Sequence, residues 1–231
     1  MAASPFRPAL DLMVQYARYH RDRRNIATHF IGIPLIVFAI GILLARAQFQ
    51  LGDIQLSAAW LLWAASTVWY LSRGNLVLGL ATSLVNAVLM ALAEPLAMGS
   101  TAAWLGWGLG MFALGWIIQF VGHYYEGKKP AFVDDLVGLL VGPMFVVGEA
   151  LFMLGWGRSM LAEIERQAGP THLRDLAQPA ALTRQELERA ATTSGSPCFW
   201  PHRRPAAVPP AAPSPGRPGG SRTWRPSRCS R

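Results

Sequence analysis

Three histidines, His20, His29 and His123, are the residues best suited to chemistry in this chain. A neutral imidazole is the commonest metal ligand among side chains. His123 opens the run His123-Tyr124-Tyr125-Glu126, and residues three apart on a helix share a face. Imidazole and carboxylate can then address one centre, as Glu-x-x-His pairs do, in the opposite order, in iron-binding helical bundles. His20 and His29 are nine apart, which at about 100° per residue aims them oppositely on a straight helix. If both serve one centre the chain must bend between them, and Arg21-Asp22-Arg23-Arg24 is the expected place. Asn25, four before His29, can fix that ring by hydrogen bonding. Taken singly, each histidine also reads as an ordinary interface residue. Tyr16, Tyr19, Tyr124 and Tyr125 read as an interfacial aromatic belt, and the basic run 21–24 as a topology signal.

The elements that must gather these residues read as membrane helices. Apolar residues make up 52% of the chain and charged residues 15%, against about 25% charged in soluble chains. Four apolar runs, Ala27–Ala45, Leu56–Leu71, Leu76–Ala93 and Ala102–Val121, are predicted to span a bilayer. A polar connection, 46–55, follows the first run, and a tight turn, 72–75, follows the second. A fifth apolar stretch, Leu136–Trp156, carries Glu149 and is interrupted by Gly142-Pro143, so it reads as a broken or re-entrant segment. Gly106 and Gly110, four apart, would permit close helix contact, or simply reflect how common glycine is in membrane helices. The expected fold is therefore an all-α polytopic bundle over residues 1–156. A short soluble helical extension, 157–191, follows, with Thr183–Glu186 resembling a capping box. Residues 192–231 form a Pro/Arg-rich tail expected to be disordered.

The charge supports this division. The net charge is +8, but seven arginines and no acids lie between Ser196 and Arg231, and without them the balance falls to +1. A basic tail of this kind is not the basic folded face of a nucleic-acid binder, and no nucleic-acid partner is expected. Both cysteines, Cys198 and Cys229, lie in the tail, so neither can staple the apolar body. No convincing signal peptide precedes the first apolar run, which reads as a retained span.

Four crossings put residues 1–26, the 72–75 turn and residues 122–135 on one side. That side carries eight lysines and arginines, and the other carries only Arg46. The bias makes the first side cytoplasmic, N-terminus included. The same parity places His20, His29 and His123 at one membrane face. Imidazole and carboxylate ligands with open positions suit non-haem ferrous iron. Haem held by two histidines is an alternative for the same residues. A non-enzymatic transporter or lipid-binding scaffold is another, since intramembrane carboxylates such as Glu149 often mark solute or proton paths.

Two ordered signatures carry a resemblance. The first is Tyr16-x-x-Tyr19-His20-x4-Asn25-x3-His29, followed by Ile31-Gly-Ile-Pro34. The second is Trp116-Ile-x-Gln119-Phe-x-Gly122-His123-x-x-Glu126, then Pro130-Ala131-x3-Asp135-Leu136 and Gly142-Pro143-x-Phe145-x3-Glu149. Over roughly residues 10–156 the chain resembles the Mpo1-like membrane proteins. The resemblance implies an Fe(2+)-dependent dioxygenase that shortens 2-hydroxy fatty acids by one carbon in α-oxidation. It implies His20, His29 and His123 as catalytic iron ligands. Glu126 joins them as a fourth metal ligand from spacing alone. Asn25 and Tyr19 are expected to orient the ligands. Arg21, Arg24 and Lys128 are expected to bind the substrate carboxylate. Fatty acid, dioxygen and the lipid bilayer are the expected partners. The Ala/Gly/Arg-rich composition points to a bacterial inner membrane, whereas a eukaryotic member would sit in the endoplasmic reticulum.

Overall fold

A computed structural model describes residues 6–128 and 137–177. The capping-box motif and the tail lie outside the described residues. The chain is mostly helical. It runs α1 (Ala9–Ala17), α2 (Arg23–Ala45), β1 (Gln48–Leu51), β2 (Ile54–Ser57), α3 (Ala58–Leu71), α4 (Leu76–Ala97), α5 (Thr101–Glu126), α6 (Val137–Met153) and α7 (Arg158–Ala168).

Three helices, α2, α4 and α5, are long and apolar enough to cross a membrane, and the count is four if α6 and α7 together make one bent span. The second apolar run falls short of the spanning helix expected from sequence. Residues 54–57 are spent in a strand that pairs antiparallel with 48–51, so the helix keeps 14 residues. At 1.5 Å per residue this is about 21 Å, less than the roughly 30 Å of a hydrocarbon core. The hairpin also departs from the purely α-helical expectation. Short as it is, α3 returns the chain to the end where it began, because the Ala9 N–H donates to the Arg73 carbonyl at 2.9 Å. The parity that gathers the histidines therefore survives.

Nor does Gly142-Pro143 break the fifth segment. Helix α6 runs through Pro143, and the break comes after Met153, where α7 turns away by 119°. Gly155 and Gly157 at this corner adopt the left-handed conformation, φ 86° and 67°, which glycine enters without steric cost. Pro143 removes one N–H from the helix ladder, but residues 141–148 are buried without interruption, and packing outweighs the local preference.

Side chains anchor the helix starts. Asp22 accepts from the Arg24 N–H at the start of α2, Asn75 from the Leu78 N–H at the start of α4, and Ser100 from the Ala103 N–H at the start of α5. The main core lies where α1 packs on α6 and α7, around Met13, Phe145, Tyr70, Leu78 and Ile164. Helices α2 and α5 pack along most of their length. Their contact is built on glycines, though not on the pair singled out from sequence. A side chain at Gly106 or Gly110 would meet nothing within 4 Å. Gly108, Gly115 and Gly122, seven apart, face α2 instead. A Cβ at Gly32 would lie 2.9 Å from the Gly115 carbonyl, and one at Gly122 would overlap Thr28 and Asn25.

Candidate metal centre

The close α2–α5 crossing aligns the start of α2 with the end of α5, and α1 delivers the third element. Helix α1 ends at Ala17 and α2 begins at Arg23, so the bend required between His20 and His29 falls on residues 18–22, slightly earlier than expected. His20, His29 and His123 are all buried, at 0%, 1% and 6% exposure. One ring nitrogen from each lies within 4.8 Å of the others. The ring centroids are 4.4, 4.9 and 5.2 Å apart, and the rings meet edge to face.

Hydrogen bonding sets the chemistry of these nitrogens. His20 Nδ1 lies 2.7 Å from the Tyr16 carbonyl, and His29 Nδ1 lies 2.8 Å from the Asn25 carbonyl. A carbonyl only accepts, so Nδ1 carries the hydrogen in each ring and Nε2 keeps the lone pair. The two Nε2 atoms stand 2.9 Å apart. Two lone pairs at that distance repel unless a cation lies between them. A proton is a poor candidate. Burial pushes His20 well below the usual imidazole range, and the neighbouring His29 and His123 rings push the same way. His123 Nδ1 is buried with no hydrogen-bond partner. Buried imidazoles with converging, unused lone pairs fit a transition-metal ion. They do not fit a haem between His20 and His29, whose nitrogens are too close to admit a macrocycle. Among the described residues no carboxylate joins this group.

Glu126 is given a different task from the ligand role suggested by spacing. Its Oε2 accepts the backbone N–H groups of Arg21 (2.9 Å) and Asp22 (2.8 Å) and the Asn25 amide (3.1 Å), and Oε1 is 3.1 Å from the same Arg21 N–H. The carboxylate thus anchors the turn that carries His20. Glu126 closes α5, where Gly127 takes the left-handed conformation (φ 69°) and donates to the His123 carbonyl. Asn25 does orient His29, but through its backbone carbonyl. Its side chain donates to the Tyr19 carbonyl and to Glu126.

The basic residues expected to hold substrate are engaged within the protein. The Arg21 guanidinium is buried, donates to the carbonyls of Ala17, His20 and Gly169, and lies 3.6 Å from the Glu149 carboxylate. Arg24 pairs with Asp22 at 2.8 Å and stacks over Tyr125. Lys128 donates to the Arg18 carbonyl at 2.7 Å and is exposed. Burial opposes the charge on Asp22, but bonds from Arg24 and Arg174 outweigh it and hold that carboxyl at about 2.

Two further features escaped the sequence reading. Tyr16, read as part of an aromatic belt, is buried and stacks flat on His20 at 4.0 Å between centroids. The segment after α7 crosses the same turn. Here the His172 N–H donates to the Arg21 carbonyl, the Arg23 N–H to the His172 carbonyl, and the Arg174 N–H to the Asp22 carboxylate. The Arg174 side chain donates to the Tyr125 carbonyl at 3.0 Å, which ties the end of α5 to the same strap.

Beside the imidazoles opens a cavity of about 220 Å³ between α2, α5 and α6. His29, His123, Tyr16 and Gln119 line it, and its remaining wall is almost wholly apolar, including Ile33, Ile36, Ile40, Phe112, Trp116 and Pro143. From His29 to Ile40 it follows α2 for about 16 Å.

No solved structure matches this chain. It is similar to the 2-hydroxy-palmitic acid dioxygenase of Saccharomyces cerevisiae, with 35% identity over 163 residues, covering 68% of this chain and 88% of the yeast protein. The family described as "2-hydroxy-palmitic acid dioxygenase Mpo1-like" matches residues 6–154, which takes in all three histidines, Glu126 and the cavity wall. The chain is a member of the Mpo1-like family.

Proposed function

We propose that this membrane protein is a ferrous-iron dioxygenase that shortens 2-hydroxy fatty acids by one carbon, the α-oxidation reaction, at the cytoplasmic membrane face. One observation carries the reading: three buried imidazoles converge where an apolar cavity begins. The name borne by the yeast relative supports the substrate class. The positive-inside bias supports the orientation.

His20, His29 and His123 would hold the metal. Bound there, ferrous iron would supply the activation of dioxygen, which no side chain provides. The Tyr16 and Asn25 carbonyls hold the Nδ1 hydrogens, so each Nε2 stays free for ligation. Tyr16 stacks on His20 and covers one face of that ring. Glu126 and the strap through Arg174 keep the 20–22 turn at the end of α5. The cavity takes the acyl chain, with burial contributing about 0.8 kcal/mol per CH₂. Water is displaced from the reacting carbon as the cavity fills. The basic residues at this end of the bundle serve the reaction through their positive field, which draws a carboxylate towards the site.

The test is turnover of 2-hydroxypalmitate by iron-loaded protein in detergent. The expected result is oxygen-dependent loss of substrate with a product one carbon shorter, abolished in His123→Ala. A protein that consumes no substrate in the presence of iron and oxygen refutes the activity. It would leave the binding of lipid without chemistry as the reading to pursue.

A further inference from the structure

Beyond the imidazoles, the cavity wall carries a buried amide whose hydrogen-bonding capacity is unspent. Gln119 is 4% exposed, lines the cavity and lies one turn before His123 on the same face of α5. Its Nε2 is buried with no hydrogen-bond partner. A buried amide left unpaired costs about 1–3 kcal/mol, and apolar cavity walls offer it nothing. Its Nε2 packs beside Gly32, 2.8 Å from where a Cβ at that position would sit, on the crossing where α2 and α5 touch. Gly32 is itself one turn beyond His29. Gln119 therefore stands at the neck of the cavity, between the imidazoles and the apolar wall formed by Ile36, Ile40 and Phe112.

We infer that Gln119 is the residue that recognises the acid head of the substrate, its Nε2 donating to a carboxylate oxygen of a long-chain 2-hydroxy acid while the acyl chain continues along α2. The assignment rests on the fatty-acid reading of the site and adds its specificity. The basic residues do not compete for the role, because Arg21, Arg24 and Lys128 are not among the side chains that line the cavity. An uncharged amide also suits a carboxylate that must approach a cationic centre, since it adds a directed bond without a second charge to desolvate.

The experiment compares wild type with Gln119→Leu and Gln119→Glu as iron-loaded proteins in anaerobic binding titrations, where no turnover occurs. The ligands are 2-hydroxypalmitate and hexadecane-1,2-diol, which keeps the chain and the hydroxyl but lacks the carboxylate. Both variants should retain wild-type iron content, because no ligand is changed. Gln119→Leu should bind the acid about 10- to 100-fold more weakly, the range set by a hydrogen bond to a charged group. Gln119→Glu should bind it more weakly still, while the diol should bind all three proteins with similar affinity. A purely structural role would weaken both ligands together, and that result overturns the assignment. So does unchanged acid binding by Gln119→Leu in a protein whose wild type turns the acid over, which leaves the dioxygenase reading intact. Wild type that neither binds nor consumes the acid overturns both.

Discussion

Replacing Glu126 by glutamine separates two roles for that residue, and the structure sets the size of the effect. The carboxylate accepts from three donors, the N–H groups of Arg21 and Asp22 and the Asn25 amide, all within 3.1 Å. Glutamine keeps one oxygen and puts an N–H₂ where the second stood, facing a backbone donor. A hydrogen bond to a charged group contributes about 1.5–3 kcal/mol, and a buried donor without an acceptor costs a comparable amount. One lost bond and one donor facing a donor amount to about 3 kcal/mol. For a chain of this size, that corresponds to a Tm about 6–12 °C lower. The assay is thermal unfolding of metal-free protein in detergent, so that no ligand loss contributes. The anchor role requires the drop in metal-free protein, with iron affinity weakened only because the His20 turn has loosened. An unchanged metal-free Tm with loss of iron would rule out the anchor role and make Glu126 a metal ligand.

Four other outcomes follow from the structure. Gly122→Ala should weaken α2–α5 packing by about 1–3 kcal/mol in denaturation assays, since the new Cβ overlaps Thr28 and Asn25. Gly106→Ala and Gly110→Ala, with open space around them, should be neutral or stabilising by up to about 1 kcal/mol. Arg174→Ala should lower iron affinity by about tenfold, measured by competition with a chelator, because it unties the strap from Tyr125 without touching a ligand. Burial, aided by the His29 and His123 rings, depresses the pKa of His20, so the unfolded chain binds more protons there between that depressed value and about 6.5. Its contribution to stability is therefore complete above about pH 6.5 and is lost as pH falls through the depressed value. Iron retention followed against pH should persist below the ordinary imidazole midpoint.

The histidines were legible because only parity was needed to bring them to one end, and α3 restores parity despite its length. The length was hidden because Leu56 and Ser57 run straight into the apolar stretch that follows, yet with residues 54 and 55 they pair with 48–51 across the turn at Gly52. Glu126 shows where spacing stops being informative. His-x-x-Glu puts both side chains on one face, but it does not say whether the carboxylate turns towards the ring or towards the backbone of a loop about 105 residues away. The contact glycines followed a period of seven along α5, whereas the pair four apart that drew notice points elsewhere. The strap at 169–174 was out of reach altogether. It works through backbone groups and Arg174, about 150 residues beyond the turn it holds, and local pattern says nothing about such a partner.

Iron analysis of anaerobically purified protein decides whether the three histidines form a metal centre, with wild type set beside His20→Ala, His29→Ala and His123→Ala. Wild type should carry stoichiometric ferrous iron and each variant almost none, with the chain still folded. Wild type that binds no iron, or a histidine variant that retains it in full, would show that these imidazoles do not hold the metal together.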